Sequence, residues 1–310
     1  MNAGLKVFAP ASVANVACGF DVLGFALEKP GDEIIVRFSD KPGLKITAIT
    51  GAKGKLPLEV EKNTAGFAAQ RLLEHLGETE RGIDMEIHKK MPFGSGLGSS
   101  AASAVAGVMA VNELLKRPLQ KRELLHFAVL GEQLADGAYH ADNVAPSLIG
   151  GMILIRNNAD LDVHRLPLPQ GLYASVVYPH VKILTKDARA VLSDQVSMDK
   201  CIQQSGNLAG LVVGLYNGDL DLISRSLEDV IIEPQRAQLI PHFYQVKEAA
   251  MNAGAMGCSI SGAGPSIFAL SANSLIAENV GKAMEKVFHD AKIRNELFIS
   301  PINQEGAIKC

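Results

Sequence analysis

Pro92-Phe93-Gly94-Ser95-Gly96-Leu97-Gly98-Ser99-Ser100-Ala101-Ala102 carries the reading of this chain. Glycines at 94, 96 and 98 permit a backbone path that side chains forbid. Two serines then open a stretch, from Ser99 to about Lys116, with no charge before Glu113; such a helix is buried on most sides. A helix N-terminus presents unpaired N–H groups and a partial positive charge, and serine hydroxyls add donors beside it. The stretch therefore predicts a phosphate-binding loop. A Walker A loop is excluded, because Ser99 stands where its lysine would be, and a dinucleotide fingerprint would need glycine at the same position. The bland alternative is a glycine turn that merely enters a core helix.

Upstream, Ile83, Met85 and Ile87 alternate with polar residues and predict a half-buried strand running into the loop. Asn63 predicts the N-cap of a helix that Gly77 closes. Strands are expected at 6–10, ended by Pro10, and at 33–38 and 44–50. Downstream, a helix is expected over 120–135, then strands within 150–157 and 172–179 around a connector, Leu166-Pro167-Leu168-Pro169. A domain boundary is placed near 165, giving units 1–165 and 166–310. The second unit reads as helices at 187–194, 199–217, 219–229 and 240–253, a strand–glycine turn–strand over 257–270, a helix at 275–290 and a strand at 296–300. Without regular βαβ alternation the class is α+β rather than a doubly wound sheet.

The 310 residues, 47% hydrophobic, suffice for a large core. Thirty basic residues against 33 acidic ones leave a net charge of −3, so no global field draws the chain to nucleic acid or an anionic membrane. The first residues lack the pattern of a signal peptide, and no apolar run reaches the length of about 18 that a membrane span needs. Cys18, Cys201, Cys258 and Cys310 are scattered without a C-x-x-C pair, which favours free thiols and a reducing cytoplasm.

The loop resembles the ATP-binding loop of the kinases named for galactose, homoserine, mevalonate and phosphomevalonate. Two further segments extend the resemblance over the chain: Pro10-Ala11-Ser12-x-Ala14-Asn15 with Gly19-Phe20-Asp21, and Ser261-Gly262-Ala263-Gly264-Pro265-Ser266. It implies an N-terminal ATP-binding domain like a ribosomal-protein domain, with a left-handed crossover, and a ferredoxin-like C-terminal domain. It also implies ATP and Mg²⁺ as requirements, a homodimer, and nucleotide contacts along 92–102 and at Ser261, Gly262 and Asn63. For Asn63 a plain helix cap is the other reading, and both roles are compatible.

Within that family, the Gly-Phe-Asp at 19–21, the run from His140 to Pro146, Thr185 to Arg189, and Glu233-Pro234-Gln235-Arg236 resemble the homoserine branch. The resemblance implies L-homoserine as phosphate acceptor, bound among Asn15, Asp21, His140, Asp142, Thr185, Arg189 and Arg236. The chemistry agrees: a zwitterion needs an anion for its ammonium and cations for its carboxylate, and arginine binds both carboxylate oxygens at once. His140 reads equally as a packed histidine. Glu132 lies near the edge of a helical apolar face formed by Leu124, Phe127, Ala128 and Ala135, where a carboxylate needs a partner. With Ser100, which the resemblance pairs with it, Glu132 is the expected Mg²⁺ ligand. Asn143 stands where sister kinases carry a catalytic aspartate, and this implies catalysis without a strong protein base. Ala17-Cys18 replaces the family's Gly-Pro and makes Cys18 a candidate for thiol-reagent sensitivity. A sister small-alcohol kinase and a non-catalytic nucleotide binder are the rival readings.

Overall fold

The structure is a computed structural model that describes residues 4–137 and 139–310. Alternating and β-branched segments build two sheets. The first contains β1 (Leu5–Ala14), β2 (Leu23–Phe38), β3 (Leu44–Thr50), β4 (Ile83–His88), β5 (Met152–Asn157) and β6 (Asp162–Leu166). The second contains β7 (Tyr173–Pro179), β8 (Gly257–Ile260), β9 (Ile267–Ser271) and β10 (Asn295–Pro301) in the order β10-β7-β9-β8, antiparallel throughout. Finally β11 (Ile308–Lys309) returns to the first sheet, whose order is β11-β1-β2-β4-β3 with β5 and β6 attached through β2. The α+β class is borne out.

Ten α-helices occupy the described residues. In the first half these are α1 (Thr64–Leu76), α2 (Ser99–Leu114), α3 (Lys121–Asp136) and α4 (Val144–Ile149). The second half has α5 (Thr185–Ala190), α6 (Met198–Asn217), α7 (Leu220–Ser226), α8 (Glu233–Arg236), α9 (Phe243–Asn252) and α10 (Ser274–Asp290). As expected, α1 starts on the Asn63 cap and ends on left-handed Gly77. Its role is to carry the chain from β3 to β4, which pair in parallel.

Four expectations are corrected. Pro10 does not end β1: the register shifts between Pro10 and Ser12, and such a bulge accommodates a residue that cannot donate to the ladder. The strand at 33–38 begins at Leu23, so β2 curls under both β1 and β5. Leu166, expected to open the connector, instead closes β6, a strand whose buried Val163 and Leu166 are separated by two exposed residues and so offer no clean alternation. The helix expected at 187–194 lies at Thr185–Ala190, and the short α4 and α8 had no periodicity to reveal them.

The charge-free stretch behaves as its composition demands. Nearly every residue of α2 from Ser99 to Glu113 is buried, against β1 and β2 on one side and α1 and α3 on the other. A second cluster, with Phe243, Val246, Val280, Met284 and Phe288, packs α9 and α10 on the second sheet. The Phe25 and Phe268 rings meet edge to face at 5.9 Å, which joins β2 to β9 within the main core. Among the described residues no helix is long and apolar enough to cross a membrane.

Candidate active site

β4 delivers the chain to the loop, and the loop delivers it to α2. Gly94, Gly96 and Gly98 all have positive φ. Two of them are obligatory for a second reason, close approach. A Cβ on Gly96 would lie 2.5 Å from the Ser261 carbonyl oxygen, and one on Gly98 would lie 2.3 Å from Ser12 Oγ. Gly98 is the residue before α2 and has no side chain to cap it, so the first-turn amides of the helix are left for a ligand.

The second glycine turn closes on the first. Ser261 Oγ donates to the Gly96 carbonyl at 2.7 Å, and Ser266 N donates to the Ser95 carbonyl at 3.1 Å. Between the two turns lies a cleft of about 290 Å³, lined by Phe93, Ser99, Ser100, Glu132, Asn143 and Thr185 among others. Packing of α3 on α2 brings Glu132, 7% exposed, to Ser100, whose Oγ donates to Glu132 Oε1 at 2.8 Å. A carboxylate and a hydroxyl side by side, at the uncapped start of α2, form an all-oxygen donor pair. That set fits Mg²⁺, which takes one or two protein ligands and the oxygens of a bound phosphate.

Beside the cleft lies a charged pocket. Arg189, in α5, donates both Nη1 and Nη2 to the Asp21 carboxylate at 3.2 Å. Arg236, in α8, is 3% exposed; its Nε donates to the Ala188 carbonyl at 2.9 Å and its Nη1 to the Gly262 carbonyl at 3.1 Å. Both guanidinium groups lie over the Phe20 ring, at 5.5 and 4.9 Å from its centroid. Burial, and then the neighbouring Arg189 charge, pull Arg236 below the usual arginine range. Two cations gathered this closely call for an anion. His140 Nε2 stands 3.9 Å from Asp21 Oδ2. Asn15 ties the pocket to the cleft: its Oδ1 accepts from Asp21 N at 3.1 Å, and its Nδ2 donates to the Gly262 carbonyl at 2.8 Å. The backbone here is unusual, with positive φ at Asn15, Val16, Ala17 and Asp21; for β-branched Val16 that is an outlier.

Comparison with known proteins meets this geometry from outside. The "GHMP kinases N terminal domain" matches residues 63–151 and the "GHMP kinases C terminal" matches 211–290, together more than half of the chain. The chain belongs to the GHMP kinase family. Homoserine kinase of Chlorobium phaeobacteroides is 48% identical to it over 98% of each chain. That of Xylella fastidiosa is 41% identical, over 97% of this chain and 92% of the relative. The crystal structure of homoserine kinase from Cytophaga hutchinsonii superposes with a TM-score of 0.97 at 54% identity, over 100% of this chain and 98% of that one.

In this GHMP kinase the expected loop residues do not all face the cleft. Leu97, Ala101 and Ala102 are buried in the core, and the Ala102 amide already bonds the Gly98 carbonyl. Ser95 lines the cleft, but its hydroxyl is engaged, donating to the Pro92 carbonyl at 3.0 Å. Asn63 caps α1 through the Ala65 and Gly66 amides and donates to the Pro57 carbonyl at 3.0 Å; its neighbour Thr64 is the one lining the cleft. Asp142 is buried close to Arg236, which feels its charge.

Two site residues escaped the sequence reading. Lys89 Nζ pairs with Asp32 and also donates to the Ser99 carbonyl and to Ser103 Oγ, each at 2.7 Å. All three of its N–H bonds are thereby used, so Lys89 clamps the first turn of α2 to β2 and is not a Walker-type phosphate ligand. The signal was present. Ile83, Met85 and Ile87 define the inward parity of β4, and Lys89 continues it; Asp32 does the same ahead of Ile34 and Val36.

The expected reactivity of Cys18 is corrected. The thiol is 3% exposed, and burial pushes it up to about 12. In the native kinase at neutral pH, a maleimide should label exposed Cys310 within minutes and Cys18 only after unfolding; peptide mapping of the adducts checks this.

Proposed function

We propose that this kinase transfers the γ-phosphoryl group of ATP to the side-chain hydroxyl of L-homoserine, giving O-phospho-L-homoserine for threonine biosynthesis. The observation that carries the reading is the pocket beside the phosphate loop, where two arginines and an aspartate converge on Phe20. A zwitterionic amino acid matches it, whereas mevalonate would leave the aspartate unused and a sugar would use neither charge. Full-length relatives named homoserine kinase support the same substrate.

The first-turn amides of α2 and the two glycine turns would hold the phosphates. Ser100 and Glu132 would hold Mg²⁺, which would supply neutralisation of phosphate charge. Arg189 and Arg236 would orient the amino acid by its carboxylate, leaving its hydroxyl in the cleft near Asn143. The hydroxyl oxygen forms the new bond to the γ-phosphorus. The bond to the bridging oxygen breaks with its electron pair left on ADP, and the hydroxyl proton passes to an oxygen of the transferred group and then to solvent. No strong protein base is required, because a loose transition state demands little proton removal before the phosphoryl group moves. We place the reaction in the cytoplasm, a setting that four unpaired cysteines favour.

ADP release with L-homoserine, beside mevalonate, shikimate and galactose, tests the substrate. Arg236→Ala should lower kcat/KM for homoserine by about 10²-fold, the loss of charge-assisted hydrogen bonds, with KM for ATP little changed. Turnover of another alcohol, untouched by Arg236→Ala, would overturn the amino-acid pocket.

A further inference from the structure

Asn143 precedes α4 and lines the cleft, yet its amide is fixed from across the fold. Ser12, fully buried on β1, donates through Oγ to Asn143 Oδ1 at 2.8 Å. Two bonds set the distance. Ser12 N donates to the Leu97 carbonyl at 3.1 Å, which ties β1 to the phosphate loop, and Ser147 Oγ of α4 donates to the Pro10 carbonyl at 2.7 Å. Ser12 follows a register shift of β1 on β2, where the pairing passes from Pro10–Gly31 to Ser12–Ala26. Gly98 leaves room for the bond, since a Cβ there would fall 2.7 Å from Asn143 Oδ1 as well as 2.3 Å from Ser12 Oγ.

A primary amide offers one acceptor oxygen and two N–H donors. The orientation of this one is decided by its partner. Among the described residues Ser12 Oγ–H has no acceptor other than Asn143 Oδ1. Turning the amide over would leave a buried hydroxyl hydrogen unpaired, which is unfavourable. With Oδ1 engaged, Asn143 presents its nitrogen to the cleft, and among the described residues that nitrogen has no hydrogen-bond partner.

We infer that Ser12 is a positioning residue for phosphoryl transfer: its hydroxyl holds the Asn143 amide with the N–H groups facing the cleft. Asn143 then acts as a donor to an oxygen of the reacting groups, where charge shifts during transfer, and not as a proton acceptor. The inference rests on the phosphotransfer reading above, and it explains why an amide serves at a position where sister kinases carry an aspartate. The arrangement of Ser12 and Asn143 contributes to the chemical step and leaves the arginine pocket and the loop amides alone.

The test is steady-state kinetics of the full chain and five variants: Ser12→Ala, Ser12→Cys, Ser12→Thr, Asn143→Ala and the double variant Ser12→Ala/Asn143→Ala. Ser12→Ala should lower kcat about tenfold, with KM for ATP and for homoserine changed by less than about twofold, the worth of one oriented hydrogen bond. Ser12→Cys, close in shape but a weak donor, should reproduce the loss, and Ser12→Thr should restore most of it. In the Asn143→Ala background the Ser12→Ala change should alter kcat by less than about twofold, because Ser12 acts only through Asn143. An equal tenfold loss in both backgrounds would mean that Ser12 merely supports the fold or the loop, and the inference would be overturned. Absence of homoserine turnover by the unsubstituted kinase would overturn the substrate reading instead, so the two failures are distinguishable.

Discussion

Glu132→Gln should lower kcat by about 10²–10³-fold while the protein keeps its fold and melts within a few degrees of the parent, a loss on the scale of removing one preorganised charge-stabilising group. The amide keeps the shape of the carboxylate and can still accept from Ser100 Oγ, which lies 2.8 Å from Glu132 Oε1 in the parent. What disappears is the negative charge that would draw a divalent cation to the mouth of α2. The rate that remains should need a higher Mg²⁺ concentration for half-saturation. Ser100→Ala, which removes the neutral member of the pair, should cost less and move the Mg²⁺ dependence the same way. A kcat within tenfold of the parent, at unchanged Mg²⁺ dependence, would contradict the assignment of this pair to the cation.

The second large effect concerns stability. The Lys89 and Asp32 side chains are 2% and 0% exposed, so neither charge can turn to water if the other is removed. Breaking such a pair from one side costs about 3–5 kcal/mol. Lys89→Met should fall near the lower end, because Asp32 keeps the Lys90 and Met91 amides on Oδ1 and the Ser99 and Ser103 hydroxyls near Oδ2. Denaturant unfolding measures this as a lower midpoint at unchanged slope. KM for ATP should rise as well, since the clamp on the Ser99 carbonyl is what holds the first turn of α2 against β2. A variant as stable as the parent would show that the pair contributes only geometry.

Where backbone rules act locally, the sequence reading reached the structure. Asn63 and Gly77 delimit α1 because a side-chain cap at one end and a left-handed residue at the other are local needs. The uncharged run after Ser99 could only be a buried helix. Pro10 misled because a proline is a strand breaker only where its missing N–H is needed, and at the bulge it is not. Whether a position is a bulge depends on the partner strand, which local sequence does not record.

The site divides in the same manner. The glycines and serines of 94–100 raise the expectation of an anion site by local rules, beside the plainer reading of a turn into a core helix. Ser100 and Glu132 are 32 positions apart, and their hydrogen bond required two helices to pack before it existed. Phe20 drew attention only as a motif letter; its ring beneath both Arg189 and Arg236 is a product of tertiary folding. Asn63 illustrates the reverse: a residue expected at the nucleotide has its polar atoms engaged by its own helix and the Pro57 carbonyl.

In the proposed amino-acid pocket the Arg189–Asp21 bridge would make binding an exchange reaction, in which the protein supplies its own competitor. A ligand carboxylate that takes the arginine fork displaces Asp21, which is then a bare anion in need of a cation. A ligand that carries only a carboxylate leaves that need unmet, and one that carries only an ammonium must share Asp21 with the arginine. A ligand with both groups satisfies both ends of the broken bridge at once. Selection would then be conjunctive: each half of the zwitterion would be rewarded only when the other is present, and simple carboxylic acids and amines would be rejected without any steric wall against them.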